Sequence, residues 1–288
     1  AYLKANYVYV ENKVAALISA QDGATVTING NGNIDGGADD YAVEARNGGK
    51  VVLNGGNYVG AATAVQAAYN GEVTINGGTY SLNENVDTFG YTYLLNLKDN
   101  TNASIKVYGG KFKNFNPKDN AAENPQVSFC ADGCSVYKKD AYYEVYYVGA
   151  NLKIDAVVTK TSDLENALAD ANVNVVYLKS GEYGTIKAKS NKTIIGSTAA
   201  EVGCVALNGA DNVTLINIEF DAADAKVAYD GKGNGKQYAN ILSGDIDKNG
   251  SGSRNLVIDG CKFTGTFALA DGGVAIAFTD QGRGSGQS

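Results

Sequence analysis

Short segments that alternate apolar and polar residues recur through the first half of the chain. One block is Thr25-Val26-Thr27-Ile28-Asn29-Gly30, followed by Lys50-Val51-Val52-Leu53-Asn54-Gly55-Gly56-Asn57-Tyr58. It returns as Glu72-Val73-Thr74-Ile75-Asn76-Gly77-Gly78-Thr79-Tyr80 and as Ser104-Ile105-Lys106-Val107-Tyr108-Gly109-Gly110-Lys111-Phe112. The aligned positions Ile28, Leu53, Ile75 and Val107 stand 25, 22 and 32 residues apart. Period-two alternation predicts strands with one face inward and one in water. A second strand is predicted before each block, over Val14 to Ser19, Ala42 to Ala45, Ala64 to Ala68 and Tyr93 to Leu97. Asn-Gly-Gly steps supply corners with positive φ.

Recurrence at this spacing is the signature of a repeat architecture in which each unit buries its inner face only against its neighbours. A period near 22 with two or three short strands predicts a parallel β-helix coil. Leucine-rich repeats share the length but require a leucine and asparagine pattern that is missing here. The long interval before Ser104 predicts an insertion over Asn83 to Tyr91. The pattern breaks over Asn114 to Pro125 and Val127 to Val148. Its tail, Ala141-Tyr142-Tyr143-Glu144-Val145-Tyr146-Tyr147-Val148, predicts an antiparallel edge strand capping the first domain. The tyrosines read as amphipathic strand faces, with a sugar-stacking platform as the sharper alternative.

After a joint at Gly149 to Lys153 the second half restarts. Ser162 and Glu165 stand as the N-cap and N3 residues of a capping box, predicting a short helix over 162–171. Leu164, Ala167, Leu168 and Ala171 share one face of it. Strand patterns follow at Val175 to Leu178, Lys192 to Gly196, Asn212 to Phe220, Asn255 to Phe263 and Gly273 to Thr279. The segments ending at Phe220 and Phe263 align residue for residue at an offset of 43. The predicted organisation is therefore an all-β chain with two solenoid domains in tandem, over residues 1–148 and 149–288. The chain starts at Ala1 without methionine and stops in a Gly-, Ser- and Gln-rich run. Both ends are read as cut, with the second domain truncated at its C-terminal end.

Composition narrows the chemistry. The 288 residues include 36 glycines and no histidine, methionine or tryptophan. Without histidine, neither a Ser-His-Asp site nor an imidazole-held metal can be built. A net charge of −7 and only three arginines, Arg46, Arg254 and Arg283, argue against nucleic acid as a partner. The acidic balance also argues against an anionic membrane surface, and no apolar run approaches the ~18–20 residues of a membrane span. The cysteines, Cys130, Cys134, Cys204 and Cys261, are too dispersed for a disulfide framework. They read as small buried or half-buried thiols, with a local Cys130–Cys134 bridge as the alternative.

The helix followed by Val175-Val176-Tyr177-Leu178-Lys179-Ser180-Gly181-Glu182-Tyr183 and Lys192-Thr193-Ile194-Ile195-Gly196-Ser197 resembles the start of the pectate-lyase-like right-handed β-helix superfamily, over roughly residues 155 to 280. Paired with the stretch from Gly109 to Gly133, it resembles virion fibre proteins of tailed phages of gut bacteria, including head fibres of crAss-like phages. The resemblance implies two right-handed β-helices and a structural role at the virion surface. It also implies a homotrimer whose partners are other virion proteins, with outward Asn, Thr, Tyr and Asp facing host glycans or water. Two other functions fit the same fold: a tail-spike depolymerase or secreted polysaccharide lyase, and a bacterial surface adhesin.

Few residue groups offer chemistry. Asp245, Asp247 and Asn249 sit at positions 1, 3 and 5 of a D-x-D-x-N-G run, the first half of a calcium loop. Position 12 is Leu256 where a bidentate Glu belongs, so a solvated acidic turn competes with a Ca²⁺ site. A glycosidase needs two carboxylates ~5–9 Å apart, one of them protonated. The candidates are Asp39 with Asp40, Asp221 with Asp224, and Asp259. Pectate lyases use calcium-binding aspartates and an arginine base, but Arg254 stands alone. Gly231-Lys232-Gly233-Asn234-Gly235-Lys236 lacks the spacing of a phosphate loop and reads as a lateral loop. No catalytic or cofactor-binding residue is assigned.

Overall fold

The computed structural model describes residues 16–35, 41–83, 93–119, 128–149, 152–197, 200–224, 227–230, 236–243, 253–265 and 273–277. Of these, 54% lie in β-strands, and they include a single α-helix. None of the described helices is long and apolar enough to cross a membrane. The chain divides into two compact units, Ala1–Lys153 and Ile154–Ser288.

In unit 1 the chain makes four successive passes of three strands each. The first is β1 (Ala16–Ala20), β2 (Thr25–Ile28) and β3 (Asn33–Asp35), and the second is β4 (Tyr41–Ala45), β5 (Lys50–Leu53) and β6 (Asn57–Gly60). The third is β7 (Thr63–Ala67), β8 (Glu72–Ile75) and β9 (Thr79–Leu82), and the fourth is β10 (Tyr93–Leu97), β11 (Ser104–Val107) and β12 (Gly110–Lys113). Equivalent strands pair in parallel, giving sheets β1-β4-β7-β10, β2-β5-β8-β11 and β3-β6-β9-β12. The third strand of each pass was not separated from the second by the sequence pattern, because the Asn-Gly-Gly corner interrupts it by only a few residues.

Register turns the sequence repeat into columns. Val26, Val51, Val73 and Ile105 are Cα partners in turn, as are Ile28, Leu53, Ile75 and Val107. Along β5 and β8 these residues are buried and the intervening ones are not, the alternation of a half-covered sheet. By contrast, every residue of β7 is buried, so that strand is covered on both faces. In the third sheet Tyr58, Tyr80 and Phe112 stack with centroids 5.0 and 4.9 Å apart and rings within 9° of parallel.

The corners explain the doubled glycines. In the pairs Gly55-Gly56, Gly77-Gly78 and Gly109-Gly110 the second glycine has positive φ, as at Gly78 (+100°). The first lacks room instead: a Cβ on Gly77 would lie 2.9 Å from the Asn54 carbonyl oxygen of the preceding pass. Beside them runs a side-chain ladder, in which Asn76 Nδ2 donates to Asn54 Oδ1 (2.8 Å) and Asn54 Nδ2 to Asn29 Oδ1 (2.7 Å).

The third sheet continues through an antiparallel hairpin, β13 (Cys134–Lys139) and β14 (Tyr142–Tyr147). The Tyr-rich strand β14 is antiparallel as expected, but it is not the edge. It lies between β12 and β13, and β13 takes the outside position. Lys138 and Lys139 are exposed at the end of that edge strand, a placement that discourages further strand addition.

Unit 2 opens with β15 (Ala156–Val158) and helix α1 (Thr161–Ala169). The strands β16 (Val175–Leu178), β17 (Gly181–Lys187), β18 (Thr193–Gly196), β19 (Ala200–Ala206), β20 (Thr214–Ile216) and β21 (Glu219–Asp221) follow. Beyond them come β22 (Val227–Asp230), β23 (Lys236–Leu242), β24 (Val257–Asp259), β25 (Lys262–Thr264) and β26 (Gly273–Ala277). One parallel sheet is β15-β16-β18-β20-β24. In the other, β19 pairs in parallel with β17, β21 and β23, β21 with β25 and β23 with β26, while β22 runs antiparallel to β23. Val176, Ile194, Leu215 and Ile258 form a column, and Phe220 stacks on Phe263 at 5.0 Å. An asparagine ladder recurs here: Asn255 Nδ2 donates to Asn212 Oδ1 and Asn212 Nδ2 to Asn191 Oδ1, both at 2.8 Å.

The expected capping box does not form. Lys160 is the N-cap residue and makes no side-chain cap hydrogen bond. Thr161 is already helical, which places Ser162 and Glu165 two positions too deep to cap. Leu164 and Leu168 are buried in the core of unit 2, as their spacing requires. Ala171 lies beyond the helix and is exposed. There Asp170 turns extended (ψ 122°), its Oδ1 accepts the Asn172 N–H at 2.8 Å, and the chain leaves the helix.

Candidate functional site

The residues singled out from sequence are not brought together among the described residues. Asp245, Asp247 and Asn249 lie outside them, as do Asp39, Asp40 and the Gly231–Gly235 run. Asp221 ends β21, where its Oδ1 accepts the Ala223 N–H at 2.8 Å in a local turn, and the side chain of Asp224 is outside the described set. Asp259 is exposed on β24. The backbone N–H of Arg254 donates to Asp211 Oδ1 at 2.7 Å. Among the described residues, no group of three or more metal-ligating side chains gathers.

What the register does assemble is an acidic row in unit 2. Glu182 is the partner of Glu201, Glu201 of Glu219, and Glu219 of Lys262. Each is followed by an inward residue: Tyr183, Val202, Phe220 and Phe263. Glu182, Glu201 and Asp221 line a small recess of about 120 Å³. Like charges on adjacent strands repel. The Lys262 ammonium relieves this at one end, 2.9 Å from Glu219 Oε1. Glu182 and Glu201 are exposed to water, without the apolar enclosure that a glycosidase acid requires. The signal for this row was a Glu-then-apolar step repeated in three strands, visible only once the strands are registered.

The hairpin end of unit 1 gathers a different set. On β14, Glu144 is buried. It accepts a hydrogen bond from the Tyr146 hydroxyl and lies 3.4 Å from the Lys111 ammonium. Tyr142 and Tyr143 are half-buried, and Tyr147 is 55% exposed. The Lys138 ammonium stands 5.2 Å from the centroid of the Tyr143 ring, a cation–π contact. A recess of about 310 Å³ opens beside that ring. Three of the four tyrosines of β14 are thus half-buried and one is exposed.

The four cysteines are free thiols. Burial pushes Cys130 up to about 12, with the neighbouring Cys134 adding to the effect, and burial pushes Cys134 up to about 11. Cys261 is raised by burial as well. Thiols held protonated in this way are poor nucleophiles.

No protein-family model, curated protein or solved structure matches this chain.

Proposed function

We propose that the chain is a structural virion protein, a head fibre or capsid-decorating fibre, in which each unit is a right-handed parallel β-helix. The observation that carries this reading is the in-register asparagine ladder present in both units, beside columns of stacked aromatic and β-branched residues. Such ladders make each pass a template for the next. A scaffold of this kind can be lengthened pass by pass while its backbone groups stay paired, which suits a projection from a particle. The sequence likeness to phage fibres supports the same reading, and it implies a homotrimer bound to other virion proteins.

The test is location. Gold-labelled antibody against this chain, applied to purified phage particles, is expected to mark projections from the capsid in electron micrographs. Label confined to the bacterial surface, with bare particles, would overturn the proposal. Light scattering after size exclusion is expected to give three times the 30.0 kDa mass of one chain.

A further inference from the structure

We propose that the recess at the hairpin end of unit 1 binds an anionic saccharide, a sugar carrying one carboxylate or sulfate. Its lining draws three lysines from three separate segments: Lys118 from the turn after β12, Lys138 from β13, and Lys153 from the chain beyond β14. Only one carboxylate, Asp119, lines it with them. This concentration of positive charge stands on a chain whose net charge is −7, so it is not a sample of the average surface. Two of the lysines are held in place. Lys138 is fixed over the Tyr143 ring, and Lys118 Nζ donates to the Cys134 carbonyl at 3.4 Å.

The rest of the wall fits a sugar better than a simple ion. Tyr143, Val136 and Leu152 give it an apolar side, the complement of a pyranose C–H face. Asn116 supplies an amide that can donate to and accept from hydroxyls, and Asp119 can accept from them. The same Asp119 disfavours ligands with several negative charges, such as polyphosphates. About 310 Å³ lies at the lower end of the ~300–1,000 Å³ of small-molecule sites, room for a mono- or disaccharide. The inference stands on this recess alone and does not require the virion reading, whose test is location.

Saturation-transfer NMR and calorimetry on the full chain provide the test, with galacturonate, N-acetylneuraminate, galactose 6-sulfate and galactose as probes. Both carboxylated sugars or the sulfated sugar are expected to bind, and galactose at least about tenfold more weakly. The carboxylate and sulfate arms distinguish the two ligand sources. Affinity should fall with added salt, because the attraction is screened over ~10 Å at 0.1 M. Lys138→Gln and Lys153→Gln alter exposed side chains, and each is expected to weaken binding about tenfold, the loss of one charge-assisted hydrogen bond. Melting curves matching the parent would show that both variants fold. Equal binding of galactose, no binding of any probe, or unchanged affinity in both variants would each overturn the proposal.

Discussion

At the scale of single residues, the corners separate two reasons for glycine. Gly71 has no positive φ, yet a Cβ there would lie 2.1 Å from the Ala45 carbonyl oxygen and 2.8 Å from that of Ala68. Both obstacles are backbone atoms of packed passes, which cannot move aside. Gly32 also lacks a positive φ, but a Cβ on it would meet nothing within 4 Å. Gly71→Ala is therefore expected to lower unfolding stability by about 2 kcal/mol or more, in the range of overpacking. Gly32→Ala is expected to change it by less than about 1 kcal/mol, with stiffening of the unfolded chain acting in its favour. Urea midpoints at unchanged slope measure both, and equal effects would show that the passes are not packed at this spacing. The aromatic column gives a second pair. Tyr80 is fully buried and its hydroxyl donates to the Gly77 carbonyl at 2.7 Å, while Phe112 occupies the same place in the next pass without a hydroxyl. Tyr80→Phe keeps the stack and is expected to cost about 1–2 kcal/mol, whereas Tyr80→Ala leaves a cavity and should cost about 3–5 kcal/mol. Thermal unfolding followed by circular dichroism separates the two.

At the scale of elements, helix α1 shows where long-range contacts decide what local signals cannot. Lys192 is 5% exposed, and its ammonium donates to the Asp170 carbonyl at 2.8 Å and to the carbonyl of Val173. It thus serves the carbonyl end of the helix from the residue before β18, about 20 residues away, where cations are favoured. Lys192→Met keeps the length of the side chain but strands those carbonyls. The expected loss is about 2–3 kcal/mol, read as a lower unfolding midpoint. A midpoint equal to the parent's would show that water serves the carbonyls equally well. This contact also marks the limit of the sequence reading. Alternation and spacing placed β2, β5, β8 and β11, because each strand repeats the same inward pair and a slip by one residue would expose it. The helix face Leu164 and Leu168 was legible for the same reason. The cap was not: Ser162 and Glu165 match a local motif, but the chain enters the helix one residue ahead of Ser162, at Thr161. The acidic row was half legible, since the segments at Glu219 and Lys262 align in sequence, whereas Glu182 and Glu201 join only through register. The lysine recess was not legible at all. Lys118, Lys138 and Lys153 lie on three segments that no repeat relates, and an antiparallel hairpin brings them together.

At the scale of the whole molecule, the same packing predicts how the protein responds to alkali. Burial pushes the Tyr58 and Tyr183 hydroxyls up to about 12 and raises Tyr80 well above its ordinary value; Tyr177 is raised by burial too. Cys130, at about 12, and Cys134, at about 11, move the same way. Every one of these shifts favours the protonated form in the folded state. The folded chain therefore holds protons that the unfolded chain releases, near pH 9 for thiols and near pH 10 for phenols. The stability tied to these groups is fully present below pH 9 and is lost as the pH climbs from there toward 12. The net charge of −7 grows more negative over the same interval, and self-repulsion adds to the loss. Because the chain has 19 tyrosines and no tryptophan, absorbance near 295 nm reports tyrosinate alone. We expect an early, smooth phase and then a later, steeper step in which the buried rings ionise together. That step should coincide with loss of the β-sheet circular dichroism signal, since buried phenols reach water only when the columns open. Tyr80→Phe should remove one ring from the late step and leave the early phase unchanged. A single smooth titration of all 19 tyrosines, with β-sheet signal intact throughout, would contradict the buried aromatic columns on which both units are built.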